Sequence, residues 1–268
     1  MERFSFVTKL LLPLFAGFYL NACTSTTPSP TQTPTPIPPT PSQTPTFIIP
    51  TIVPTGTATS PPSPTPTSDV LSGLSSVWFE DDFSSDEGWQ LSQDPNGATS
   101  ILNERLVIAI RTSGGFRYSL SPADPLDNFF LEVVIQPLVC QPGDEYGIMY
   151  RVNESLEHYR FTLDCDGEAR VTRVMNDGAV YLIPKTDTYA AYPGPMAGNT
   201  LGVWGRGDQF RFWINGMEVF EASDTLINGG GFGLFARLDK GDQTTVSFDN
   251  FLIRTQTLLI QPTITATP

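Results

Sequence analysis

From residue 77 to residue 255, no stretch of ten residues carries apolar side chains at the three-to-four spacing of an amphipathic helix. The chain is instead cut into short alternating or β-branched runs by Gly, Asn, Asp and Pro. Fourteen runs are legible: Trp78–Phe83, Ala98–Leu102, Arg105–Ile110, Phe116–Leu120, Phe129–Leu138, Tyr146–Val152, His158–Cys165, Glu168–Met175, Ala179–Ile183, Thr200–Arg206, Gln209–Ile214, Met217–Glu221, Gly231–Leu238 and Thr244–Arg254. Asn215-Gly216 separates two of them and predicts a tight hairpin, because both residues accept positive φ. Gly207-Asp208 and Asp177-Gly178 predict further tight connections. The last run alternates, which places Val246, Phe248, Asn250 and Leu252 on one side and Ser247, Asp249, Phe251 and Ile253 on the other. So many short strands predict an all-β fold, a two-sheet antiparallel β-sandwich of jelly-roll type.

Residues 24–68 cannot join that core. They hold fourteen of the chain's 25 prolines and fifteen threonines, with no charged residue. Too little apolar surface is present to offset the entropy of ordering. Proline at this density biases the backbone to polyproline II at about 3.1 Å per residue, a reach of at most about 140 Å. Such Thr/Pro tracts can carry O-glycans, as mucin-like stalks do. The predicted organisation is therefore a signal in 1–23, a linker in 24–76, a β-sandwich in 77–255 and a stalk-like tail in 256–268. The chain carries a net −13; Glu2, Arg3 and Lys9 contribute +1, so residues 69–254 hold −14. An acidic body of this kind excludes a nucleic-acid binder, which needs a clustered basic face.

Arg3 and Lys9 precede the apolar run Leu10–Leu20, the pattern of a secretory signal. Eleven residues are too few to span a bilayer as a helix, which takes about 20. The run ends in Leu20-Asn21-Ala22-Cys23, which resembles the bacterial lipoprotein box. That resemblance implies lipidation of Cys23 and a mature protein anchored to the cell membrane, facing the extracytoplasmic side. An ordinary signal peptide followed by a chance cysteine is the alternative.

Asp81-Asp82-Phe83 and Gly88-Trp89 open the predicted domain, and Phe248-Asp249-Asn250-Phe251 closes it. Between them stand Tyr146-Gly147-Ile148-Met149-Tyr150-Arg151, Phe210-Arg211-Phe212-Trp213-Ile214-Asn215-Gly216 and Gly231-Phe232-Gly233-Leu234-Phe235-Ala236. Together these resemble concanavalin A-like lectin/glucanase domains, in particular the laminin-G-like and keto-glycoside-hydrolase-like branches. The resemblance implies two curved antiparallel sheets, adjacent first and last strands, and a concave face that commonly holds sugar. Its motifs are bends, core aromatics and a turn, so it speaks for a fold more than for an activity.

With Cys23 assigned to lipid, Cys140 and Cys165 form an even pair in an oxidising compartment, and a disulfide is expected. In one meandering sheet their strands would lie about 9.6 Å apart, beyond the usual reach of a bridge. Two buried thiols are the alternative. Laminin-G-like domains often bind calcium, and the resemblance places Asp81 or Asp82 near Asp249, where converging carboxylates suit that ion. Solvated acids at strand edges are the plainer reading, and no other cofactor is expected.

No internal strand carries paired acids at glycosidase spacing, and His158 is the only histidine, without a Gly-x-Ser-x-Gly elbow. The domain reads as leaning towards binding without catalysis. Sugar recognition needs aromatic faces beside planar donors such as guanidinium. Tyr150, Arg151, Arg160, Arg173, Tyr181, Trp204, Trp213 and Arg237 are the candidates, with Tyr189 and Tyr192 in the strandless Pro184–Asn199 segment as a lid or rim. The leading expectation is a lipid-anchored surface protein that binds glycan. A protein-interaction domain facing a surface protein is the second, and a glycoside-processing enzyme the third.

Overall fold

The computed structural model describes residues 74–256. The expected signal segment 1–23, most of the Thr/Pro linker and nearly all of the tail lie outside the described residues. Fifteen strands follow in chain order: β1 (Leu74–Asp81), β2 (Ser92–Asp94), β3 (Gly97–Ile101), β4 (Leu106–Ile110), β5 (Phe116–Leu120), β6 (Phe129–Val139), β7 (Glu145–Val152) and β8 (His158–Asp164). Then come β9 (Glu168–Met175), β10 (Gly178–Asp187), β11 (Asn199–Arg206), β12 (Gln209–Ile214), β13 (Met217–Ser223), β14 (Gly231–Arg237) and β15 (Thr244–Gln256). No helix occurs among the described residues.

One sheet has nine strands in the order β13-β12-β11-β6-β15-β4-β3-β2, with β1 also paired to β15. The other has six, in the order β10-β9-β8-β7-β14-β5. All pairings are antiparallel, so the domain is the predicted two-sheet sandwich. Each of the fourteen expected runs overlaps a strand; β2, three exposed polar residues, is the addition.

The core lies between the sheets. Leu131, Val133 and Ile135 of β6 and Val246 and Phe248 of β15 face Tyr146, Ile148 and Tyr150 of β7 and Phe161 and Leu163 of β8. Aromatic pairs cross the layer, with Phe161–Phe212 and Phe129–Phe232 centroids both 4.9 Å apart. Pairs of this geometry add about 0.5–1.5 kcal/mol each beyond their burial.

The expected alternation of the last strand fails in its second half. Val246 and Phe248 are buried, as are Phe251 and Ile253. Asn250 takes φ 51° and a register shift separates Asp249 from Leu252 against β6. One extra residue bulges out there, and every side chain after it changes face. Asn tolerates the left-handed conformation that the bulge requires.

Cys140 and Cys165 form a disulfide with Cα atoms 6.1 Å apart. The spacing difficulty disappears because the two strands do not share a sheet: Cys140 follows β6 of the nine-stranded sheet and Cys165 follows β8 of the six-stranded one. The bridge therefore joins the two layers.

Candidate functional site

The six-stranded sheet turns one face to the core and one away from it. The outer side chains fall into rows across the strands. Phe116, Arg237, Glu145 and Asp164 are paired in register from β5 to β8. Tyr118, Phe235, Gly147, Thr162 and Arg170 follow, two residues further along. Leu120, Gly233, Met149, Arg160, Thr172 and Tyr181 make the third row.

Gly147 leaves the middle of this face bare; a Cβ there would stand 2.0 Å from the Phe161 carbonyl oxygen. Arg160 reaches across, with its guanidinium carbon 5.1 Å from the Phe116 ring and 5.5 Å from the Phe235 ring. Arg170 lies 5.2 Å over Tyr181. Such cation–π contacts hold the planar groups in place. Glu145, nearly buried, accepts from Arg170 at 2.6 Å and lies 3.5 Å from Arg237. Arg237 also lies 3.5 Å from Asp239.

Arg160 differs from its neighbours. No described residue hydrogen-bonds or ion-pairs with its side chain, and its buried Nε has no partner. Burial lowers its pKa, Arg170 adds repulsion, Glu145 opposes it and Arg237 adds more repulsion. Chemically the face offers guanidinium donors beside aromatic rings, the equipment that hydroxyl- and oxyanion-bearing ligands need.

Of the sequence-predicted residues, the structure brings Arg160, Tyr181 and Arg237 onto this face. The others go elsewhere. Tyr150 is wholly buried and stacks on Tyr159 at 5.3 Å, so it is a core residue. Arg151, also buried, donates to the carbonyls of Asp127, Gly207 and Ile227 at 2.6–3.0 Å and lies 4.7 Å over Phe210. Its φ of 51° marks a bulge opposite Gly231–Phe232, which turns the side chain off the face. Arg173 is ion-paired with Asp224. Asp224 also accepts from the Tyr159 hydroxyl at 2.7 Å. Burial, then the bond to Asp224, pushes the Tyr159 phenol up to about 12.

Trp204 and Trp213 pack with Phe130 on the outer side of the nine-stranded sheet and are almost covered. Their ring faces are not offered to a ligand. The strandless segment is shorter than expected, since β10 takes Pro184–Asp187. Residues 188–198 are tied down: Asn199 closes a two-way amide pair with the Tyr192 backbone, and Asn215 donates to Ala190 O and Asn199 Oδ1. Tyr189 projects from this segment 99 % exposed, and Tyr192 is 62 % exposed.

The proposed calcium ligands have other partners. Asp81 accepts from Phe83 N at 2.7 Å and Trp89 Nε1 at 2.8 Å, stapling the turn that packs Trp89 on Phe251. Asp82 accepts from Ser84 N, and Asp249 lies 3.5 Å from Arg105. Among the described residues, the one group of three carboxylates close enough to share an ion is Asp164, Asp166 and Glu168. There the Lys185 ammonium already lies 2.6 Å from Asp164 and 2.7 Å from Glu168.

Glu145, Arg170, Thr162 and Thr172 were missed from sequence. The available signal was alternation: Arg170 and Thr172 share a face of β9, as Arg160 and Thr162 do of β8.

No family model matches this chain, and no curated protein matches it. Solved structures do. The carbohydrate binding module CBM66 from Bacillus subtilis is 20 % identical, covering 63 % of this chain and 96 % of its own at a TM-score of 0.50. A Bacillus subtilis protein of unknown function with a galectin-like fold scores 0.53 at 10 % identity over 68 % of this chain and 97 % of that one. A prokaryotic beta-1,3-1,4-glucanase (lichenase) from a mouse hindgut metagenome scores 0.52 at 12 % identity, covering 67 % and 99 %. At these identities the likeness is one of fold. It places the domain among concanavalin A-like jelly-roll sandwiches.

Proposed function

We propose that this is a surface-anchored lipoprotein whose sandwich binds glycan through the outer face of the six-stranded sheet. The observation that carries the reading is Arg160: a guanidinium seated on two aromatic rings, with no partner for its donors among the described residues. A buried donor without an acceptor costs free energy, and a ligand oxygen restores it. The lipoprotein-like Cys23 and the Thr/Pro tract support presentation at a distance from the extracytoplasmic side of a membrane. The shared fold with a carbohydrate-binding module and a glucanase supports the ligand class.

Binding is favoured over hydrolysis by how the acids on this face are engaged. Glu145 is held by Arg170 and Arg237, and Asp164 by Lys185. Both carboxylates are thus occupied by the protein's own cations, whereas a glycosidase keeps its pair of acids free to flank the scissile bond. The test is a glycan array with polysaccharide pull-down, run on the wild type and on Arg160→Ala. Retention of glycan by the wild type alone supports the reading. Capture of proteins with no glycan retained overturns it in favour of the protein-interaction alternative, for which the exposed Tyr189, Tyr192 and Met196 are the natural contact.

A further inference from the structure

We infer that the sugar recognised on this face bears a carboxylate, carried singly on an otherwise neutral glycan. This rests on the glycan reading above and narrows its ligand.

The unmet groups on the face are mostly donors. Arg160 Nε and Arg170 Nε are buried without hydrogen-bond partners. Thr172 stands beside Arg160 in cross-strand register, and its hydroxyl is buried and also unpartnered, on a side chain 2 % exposed. Aromatic rings satisfy the flat of a guanidinium but none of its five N–H bonds, which point outward in its plane. Charge tips the balance further. Arg160, Arg170 and Arg237 share a single nearly buried carboxylate, Glu145, while Asp239 at the edge is divided between Arg237 and Lys240. The middle of the face is left with excess positive charge. A planar two-oxygen anion matches a guanidinium fork in both geometry and sign.

The rest of the domain sets the charge density of the ligand. Residues 69–254 hold a net −14, so a densely charged polyanion is repelled on approach. A lone carboxylate within reach of the arginines is governed by them instead, because exposed charges more than about 10 Å away are largely screened at 0.1 M salt. The face thus selects a sparse acid, a single uronate or sialate among neutral sugars.

The experiment uses an array holding neutral, sparsely acidic and densely sulfated glycans, followed by calorimetry on the best-bound member and its carboxyl-reduced form. The expected result is preference for the sparsely acidic set and at least a tenfold loss of affinity on carboxyl reduction. Arg160→Gln, checked by thermal melting for an intact fold, should lose the same factor towards the acid form and little more towards the reduced form. Arg160→Lys keeps the charge and should fall between; it also serves if the Gln variant does not fold. Neutral glycans that bind as well as acidic ones, with Arg160→Gln abolishing both, overturn the carboxylate and leave the glycan reading standing. Preference for densely sulfated glycans likewise overturns it. No retention of any glycan overturns both.

Discussion

The Lys185 ammonium lies 2.6 Å from Asp164 Oδ2, on a carboxylate that is almost wholly buried. With Glu168 at 2.7 Å, the lysine stands where a divalent cation would otherwise balance three clustered acids. Its pKa is raised: burial opposes the charge, but the two carboxylates more than offset it.

The wild-type thermal melt should therefore be unchanged by millimolar calcium or by chelator. Lys185→Met strips the internal cation and leaves the acids uncompensated. That variant should melt lower and regain stability on adding calcium, because a ligand that binds only the native state stabilises it. Calcium-dependent melting of the wild type would show instead that the lysine yields its place.

Arg151 is a buried charge held by three main-chain carbonyls. Arg151→Met leaves those carbonyls without a donor. The expected cost is about 3 kcal/mol, read as a lower urea midpoint with an unchanged slope. Arg160→Gln, on the outer face, should cost much less, which separates the two arginines that the sequence presents as equals.

His158 is buried, and burial holds its pKa down to about 4, with the bond to Leu156 O opposing and the charge on Arg160 assisting. In the unfolded chain the ordinary value is about 6.5. Between those values the unfolded state binds the extra proton, so stability is whole above pH 6.5 and is lost as pH falls towards 4. The loss assignable to this group at pH 4.5 is about 2.5 kcal/mol. His158→Gln should flatten that part of the urea-midpoint profile; an unaltered profile would mean the imidazole is protonated in place.

The Cys140–Cys165 bridge closes a loop of 25 residues between the layers. Its loss in a Cys140→Ser/Cys165→Ser double variant should cost about 3 kcal/mol. Alkylation of unfolded, unreduced protein should label neither cysteine.

Strand positions were legible because alternation and turn residues are local properties. β2 was not, since Ser92, Gln93 and Asp94 bury nothing and carry no apolar signal. Sheet membership was not legible either: the strands ending at Cys140 and Cys165 read as two apart in one meander, while the chain changes layers between β6 and β7. Residue type and strand position singled out Arg160, Tyr181 and Arg237, which lie on the candidate face. Tyr150 and Arg151 were misplaced by that same logic. Parity alone puts Tyr150 on either face, and the bulge at Arg151 depends on its partner strand. Glu145 shows its value only beside Arg170 and Arg237, two contacts made across strands distant in sequence.

β1 and β15 lie side by side, with Leu74 opposite Gln256. Antiparallel partners of this kind sit about 5 Å apart. The two ends of the sandwich therefore form a single socket. A short peptide joining them would give a closed ring, and the sandwich could be spliced into a loop of another scaffold without prising that loop open.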